Sequence, residues 1–108
     1  MPERTVTIES HHPSLSGHFP GHPVVPAVVI LGEIMEAVRQ TTARNIVCSA
    51  IPNAKFLSPL APGEELMIVL QQDAENSVTF TCRVGSRLVA KGNLLYTVMS
   101  IHGAENGS

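Results

Sequence analysis

The 108 residues of this chain suffice for one modest hydrophobic core and are too few for two. Apolar residues make up 44 % of the chain and charged residues only 15 %, against about 25 % charged in ordinary globular proteins; part of so small a surface is therefore expected to be hidden in an oligomer. A net charge of −2, with no run of Lys or Arg, excludes the electrostatic footprint of a nucleic-acid binder.

The opening Met1-Pro2-Glu3-Arg4 has neither the basic start nor the apolar run of a signal peptide, and no window reaches the length of a membrane span. A cytoplasmic protein is expected. Cys48 and Cys82 lack the C-x-x-C spacing of redox or zinc sites, so both are expected as reduced, buried thiols.

Thr5-Val6-Thr7-Ile8-Glu9 alternates polar and apolar and predicts a first strand. A Pro- and Gly-rich segment, Gly17-His18-Phe19-Pro20-Gly21-His22-Pro23-Val24-Val25-Pro26, follows. Histidines at 11, 12, 18 and 22 raise the question of a metal, but Pro20 and Pro23 forbid a helix between His18 and His22, and no metal site is expected. Pro26 suits the first position of a helix, and the pattern predicts one from Ala27 to about Ala43.

Ala27-Val28-Val29-Ile30-Leu31 is apolar all round and predicts burial on every side. Polar residues enter at Glu33, Glu36 and Gln40 as one wet stripe.

The rest reads as strands. Ile46 to Leu57 is β-like with a bulge or edge at Pro52, and Pro59 to Gly63 is a turn. Leu66 to Leu70 is a continuous apolar strand, and Asp73 to Asn76 is a second turn. Val78, Phe80, Cys82 and Val84 alternate with polar residues, and Gly85-Ser86 predicts a hairpin with Gly first. The last strand places Leu88, Ala90, Gly92, Leu94, Tyr96 and Val98 on one face, where small residues would let a helix lie close. Residues 1–108 are expected as a single domain with a disordered tail from about 101 to 108.

A strand, a long helix and a run of antiparallel strands predict an α+β fold with a sheet curled around the helix. Such a sheet leaves an edge strand and an apolar flank that dimerisation would cover.

The segment Gly17 to Pro26, running into Val28-Val29-Ile30-Leu31, resembles the active-site loop and helix start of the 3-hydroxyacyl-ACP dehydratases of the FabA/FabZ type. Ala54-Lys55-Phe56-Leu57-Ser58-Pro59-Leu60-Ala61-Pro62-Gly63-Glu64-Glu65-Leu66 resembles that family's second signature, and the likeness extends from about Ser14 to Val98. It implies the hotdog fold, and the chain's short N-terminus is similar to the compact dehydratase-like proteins of polyene and pigment pathways.

The resemblance further implies a substrate carried on acyl carrier protein, no cofactor, and a cleft at a dimer interface. The dimer would be a homodimer or part of a higher oligomer, or a heterodimer with another dehydratase-like subunit. His18 takes the position of the family's base, which removes the C2 proton. Phe19, Gly21, Pro26, Ala27 and Val28 take substrate-binding positions, and Ala27 stands where a Gly usually supplies the backbone N–H for the thioester oxygen.

The family's acid, an Asp or Glu, falls on Gly32. Glu33 is turned about 100° away on the helix, whereas Glu36 lies about 40° round and about 6 Å further along, which makes Glu36 the candidate acid. Two other functions fit these departures: an acyl-thioester binder without catalysis, and a hotdog thioesterase relying on Glu36.

Overall fold

Alternation of apolar and polar residues builds five strands and one helix in a computed structural model, which describes residues 3–9 and 24–99. The elements are β1 (Glu3–Thr7), α1 (Ala27–Thr42), β2 (Ile46–Phe56), β3 (Glu65–Ala74), β4 (Ser77–Val84) and β5 (Arg87–Val98). They form one antiparallel sheet in the order β1-β3-β4-β5-β2, with α1 packed over β1, β3 and β2. This is the α+β hotdog arrangement expected from the sequence.

The first strand starts two residues earlier than its alternation predicts. Pairing with β3 runs from Glu3 opposite Val69 to Thr7 opposite Glu65, and Ile8 then turns into the core while its carbonyl accepts the Gly63 N–H at 2.8 Å. Pro52 lies within the irregular stretch of β2, where the register against β5 shifts between Ala50 and Asn53. An edge strand tolerates this because no further strand needs the missing N–H. Gly85 has φ +58° at the first turn position between β4 and β5, as a Gly-first hairpin requires.

The inner face of β5 differs from the predicted set by one residue. Register against β4 slips between Cys82 and Arg83, so Val89 becomes an extra residue. Val89 and Ala90 are both buried, and Leu88 is only half-buried. A bulge reverses the alternation locally, and simple period-two reading misses it.

Gly92 is small for a different reason from the one expected. It faces β2 and the Phe80 ring: a Cβ there would lie 2.4 Å from the Asn53 carbonyl oxygen, 2.8 Å from Ala54 Cα and 2.9 Å from Phe80 Cζ. Two of those atoms are backbone and cannot rotate away. Gly92→Ala is therefore expected to destabilise the fold by about 1–3 kcal/mol, read as a lowered midpoint of urea unfolding at an unchanged slope.

The buried residues form one cluster, with Ile34, Val38, Leu60, Leu66, Ile68, Phe80 and Leu94 at its centre. Cys82 lies in it, and burial pushes its thiol up to about 12, so it stays protonated and unreactive. Cys48 on β2 is only half-buried; both cysteines are free.

The helix is not buried on every side. Ile30, Ile34, Ala37 and Val38 face the sheet, whereas Ala27, Val28 and Gly32 are exposed, Val28 by 72 %. One sheet covers one flank, and the apolar first turn leaves the other open. On the covered side Arg4 of β1 reaches across to Gln40 Oε1 at 2.9 Å and to Glu33 Oε1 at 3.4 Å, which gives part of the predicted wet stripe a structural role. No helix among the described residues is long and apolar enough to cross a membrane.

Candidate active site

The described end of the first signature segment, residues 24–26, meets the second at the start of α1. Pro26 is the N-cap, extended at φ −62° and ψ 147°, with no side-chain cap. Its carbonyl accepts the N–H groups of Val29 at 3.0 Å and Ile30 at 3.4 Å. The N–H groups of Ala27 and Val28 have no intrahelical acceptor, as at the start of any α-helix. No acidic residue stands in the first turn to take them up, and the helix dipole makes this end attractive to negative charge.

Beside it, the 57–64 segment is pinned by hydrogen bonds from several directions. The Val25 N–H donates to Leu60 O at 2.8 Å, tying the helix entry to the turn. Leu57 N–H donates to Val89 O at 2.8 Å, and Ser58 Oγ to Leu88 O at 3.0 Å; the bulge in β5 thus supplies acceptors to this loop.

Glu64 accepts the Ala61 N–H at 2.9 Å and forms a two-toothed pair with Arg87 at 2.7 and 3.2 Å. Arg87 also donates to Pro59 O at 3.2 Å. These bonds hold the Glu64 carboxyl below the usual carboxylate range, the Arg87 hydrogen bonds contributing most. The pair helps to hold the turn while the carboxylate is ionised and is lost as pH falls through that lowered value. The role of Arg87 was not visible in the sequence, since it stands 23 residues from Glu64.

Between helix start and loop lies a pocket of about 320 Å³, lined by Val24, Val25, Ala27, Ile30, Phe56, Leu57, Ser58, Pro59 and Leu60. Its lining is apolar apart from Ser58. The geometry therefore offers an apolar slot for a hydrocarbon chain, with the Ala27 N–H, which has no acceptor among the described residues, at one side for a developing oxyanion.

Of the residues expected at the site, Pro26 and Ala27 stand at this helix start, and Val28 projects from the open flank. His18, Phe19 and Gly21, with the other histidines of the first segment, lie outside the described residues, as does the tail from residue 100 on. No group of three or more metal-ligating side chains occurs among the described residues.

Glu36 does not line the pocket. It sits nine residues beyond Ala27, about 13 Å along the axis. Its carboxylate accepts hydrogen bonds from Arg39 Nε at 3.0 Å, from a second Arg39 nitrogen, and from Gln40 Nε2 at 3.1 Å. The Arg39 hydrogen bonds are the main reason that the Glu36 carboxyl is lowered from its ordinary value. A general acid needs the opposite shift.

Gly32 is exposed, and a Cβ built on it would meet nothing within 4 Å. It shares the open flank with Val28, one turn before it, so a carboxylate side chain would fit at the position where the resemblance implies the family's acid. This chain has none there.

Residues 3–93 match the family model described as ApeI dehydratase, of the ApeI-like family. A 3-hydroxyacyl-[acyl-carrier-protein] dehydratase, FabZ, from Wolbachia sp. subsp. Brugia malayi is 31 % identical over 107 residues, covering 84 % of this chain and 72 % of that protein. Among solved structures, the dehydratase heterocomplex ApeI:P from Xenorhabdus doucetiae superposes with a TM-score of 0.77 at 23 % identity, over 87 % of this chain and 84 % of the other. A variant of the fluoroacetyl-CoA-specific thioesterase FlK gives 0.76 at 14 % identity, over 96 % and 92 %. At these identities the structural likenesses show the hotdog fold alone.

Proposed function

Because the chain belongs to the ApeI-like dehydratase family, we propose that it dehydrates a 3-hydroxyacyl thioester, carried on acyl carrier protein, to the trans-2-enoyl form. The observation that carries this reading is the apolar pocket lined by Ala27 at the start of α1, whose N–H has no acceptor among the described residues, at the point where the Gly17–Pro26 motif ends.

In this reading the acyl chain lies in the pocket and its thioester oxygen faces the N–H of Ala27. The His18 imidazole removes the C2 proton, and the negative charge that builds on the thioester oxygen is held by that N–H and the helix dipole. An acid then protonates the C3 hydroxyl as it leaves as water, and the C2–C3 double bond forms. Phe19, Gly21 and Val28 border the substrate. The methyl of Ala27, where the resemblance implies Gly, narrows the approach to the donor.

The acid is assigned to a second subunit. The flank bearing Ala27, Val28 and Gly32 is uncovered, and β2 is an edge strand whose Val47, Ile51 and Phe56 are exposed. A dimer would cover both and bring another helix toward His18. Gly32 leaves a homodimer without the family carboxylate, so a dehydratase-like partner that carries one is the favoured second subunit. The fold is shared with a protein solved as a dehydratase heterocomplex, which supports this arrangement. Glu36, held ionised by Arg39, is poorly suited to give a proton.

The test is to incubate the purified chain with a 3-hydroxyacyl carrier protein, alone and with FabZ-type subunits, and to follow loss of water by mass. Turnover that needs or is raised by the second subunit is expected. No turnover in any combination would sink the proposal and leave the second reading, an acyl-thioester binder without catalysis, which the vacant position at Gly32 favours. A thioesterase would need a carboxylate at the pocket, and the described lining holds none.

A further inference from the structure

The chain contains only two lysines, Lys55 and Lys91. They stand directly opposite each other on neighbouring strands β2 and β5, and in the next strand Thr81 of β4 is opposite Lys91. The three residues thus form one row across the outward face of the sheet. Like charges facing each other across a ladder are destabilising. Most of the other cations are placed differently: Arg4, Arg39 and Arg87 each have a carboxylate partner, whereas neither lysine forms an ion pair among the described residues.

Both lysines line a pocket of about 390 Å³ together with Asn53, Thr79, Thr81, Gly92 and Asn93. Gly92, held to glycine by the close approach of β2, lies between Lys91 and Asn93. Arg83, two residues beyond Thr81 on the same face, adds a third positive charge. Asp73 on this face has its carboxylate taken up by Thr79 Oγ1 at 2.8 Å and Asn93 Nδ2 at 3.1 Å. Asn53 Nδ2 donates to Asn93 Oδ1 at 2.9 Å, which fixes the floor of the pocket. Glu3 occupies the far end of the Lys91 row, beyond Val69 and Thr81, about 14 Å away at the usual strand spacing.

We propose that Lys55, Lys91 and Thr81 form an anion site on the outward face of the sheet and that it takes a phosphate group. Two lysines and a threonine lining one hollow offer charge and hydrogen-bond donors to a dianion, and binding it relieves the repulsion that the empty row carries. The site is separate from the candidate active site, because Lys55 points to the opposite face of β2 from Phe56, which lines the helix-start pocket. It does not depend on the dehydratase reading.

The phosphate could be free or part of an ester, and the test separates the two. The intact chain is titrated with inorganic phosphate and, in parallel, with adenosine 3′,5′-bisphosphate at constant ionic strength, while amide resonances are followed by NMR. Saturable shifts centred on Lys55, Thr81 and Lys91 are expected, and the double variant Lys55→Gln, Lys91→Gln should bind at least about tenfold more weakly. Tighter binding of the bisphosphate would assign an ester as the ligand; equal or tighter binding of inorganic phosphate would assign the free ion. In phosphate-free buffer the double variant should melt no lower than the unsubstituted chain, since a like-charge pair has been removed. Shifts that never saturate, or affinities unchanged in the folded double variant, would overturn the site.

Discussion

His18→Ala is expected to reduce dehydration by about 10²–10⁴-fold, the range over which a positioned general base contributes, in whatever subunit combination is active. The effect should fall on kcat and leave KM nearly unchanged, because the proposed function seats the acyl chain against the apolar lining of Val25, Ile30, Phe56, Leu57 and Leu60 and not against the imidazole. Thermal stability should hardly move. A drop in melting temperature that parallels the loss of activity would instead assign His18 to the folding of the loop.

Gly32→Asp should have the opposite sign. Where the unsubstituted chain alone turns over poorly, a carboxylate at the family's acid position should raise the rate by about 10²-fold or more. The structure gives this substitution room, since a Cβ at Gly32 meets nothing within 4 Å, and replacing a mid-helix glycine should raise helix stability by a few tenths of a kcal/mol. Glu36→Gln offers the matching control. It removes the Arg39 ion pair on the exposed helix face, and it should leave turnover within about twofold, because an exposed pair of this kind contributes little. A collapse of activity in Glu36→Gln would return that residue to the role of acid.

Much of the fold was legible because it rests on local rules. Pro26 and the apolar run after it place the helix start within a residue, and Gly85-Ser86 marks its hairpin. What could not be read depends on neighbours distant in sequence. Val89 replaces Leu88 in the core because β4 and β5 slip register, and nothing in the alternation announces a bulge. Gly92 reads as a helix-packing residue until β2 is seen to press on it. The apolar turn Ala27–Leu31 predicts burial all round, yet one sheet covers one flank, so Val28 is left exposed.

The candidate site was legible in a different way. The likeness of Gly17–Pro26 and Ala54–Leu66 to one family pointed to two segments, and the Val25–Leu60 hydrogen bond joins them. Glu36 was chosen by its angle from Gly32 on a helical wheel. Angle alone cannot show that Arg39 and Gln40 already occupy its carboxylate.

If base and acid come from different subunits, a mixing experiment restores activity that neither component has alone. One partner is the unsubstituted chain, which has His18 and no carboxylate at position 32. The other carries both His18→Ala and Gly32→Asp, and so has the carboxylate without the histidine. Neither should turn over 3-hydroxyacyl carrier protein appreciably alone. After unfolding and refolding together, mixed dimers should hold one complete site each, and dehydration should appear at about a quarter of the rate of the single Gly32→Asp chain, since half of a random mixture is mixed and each mixed dimer has one of its two sites complete. A mixture as inactive as its components, alongside an active Gly32→Asp chain, would place both groups in one subunit and contradict the account.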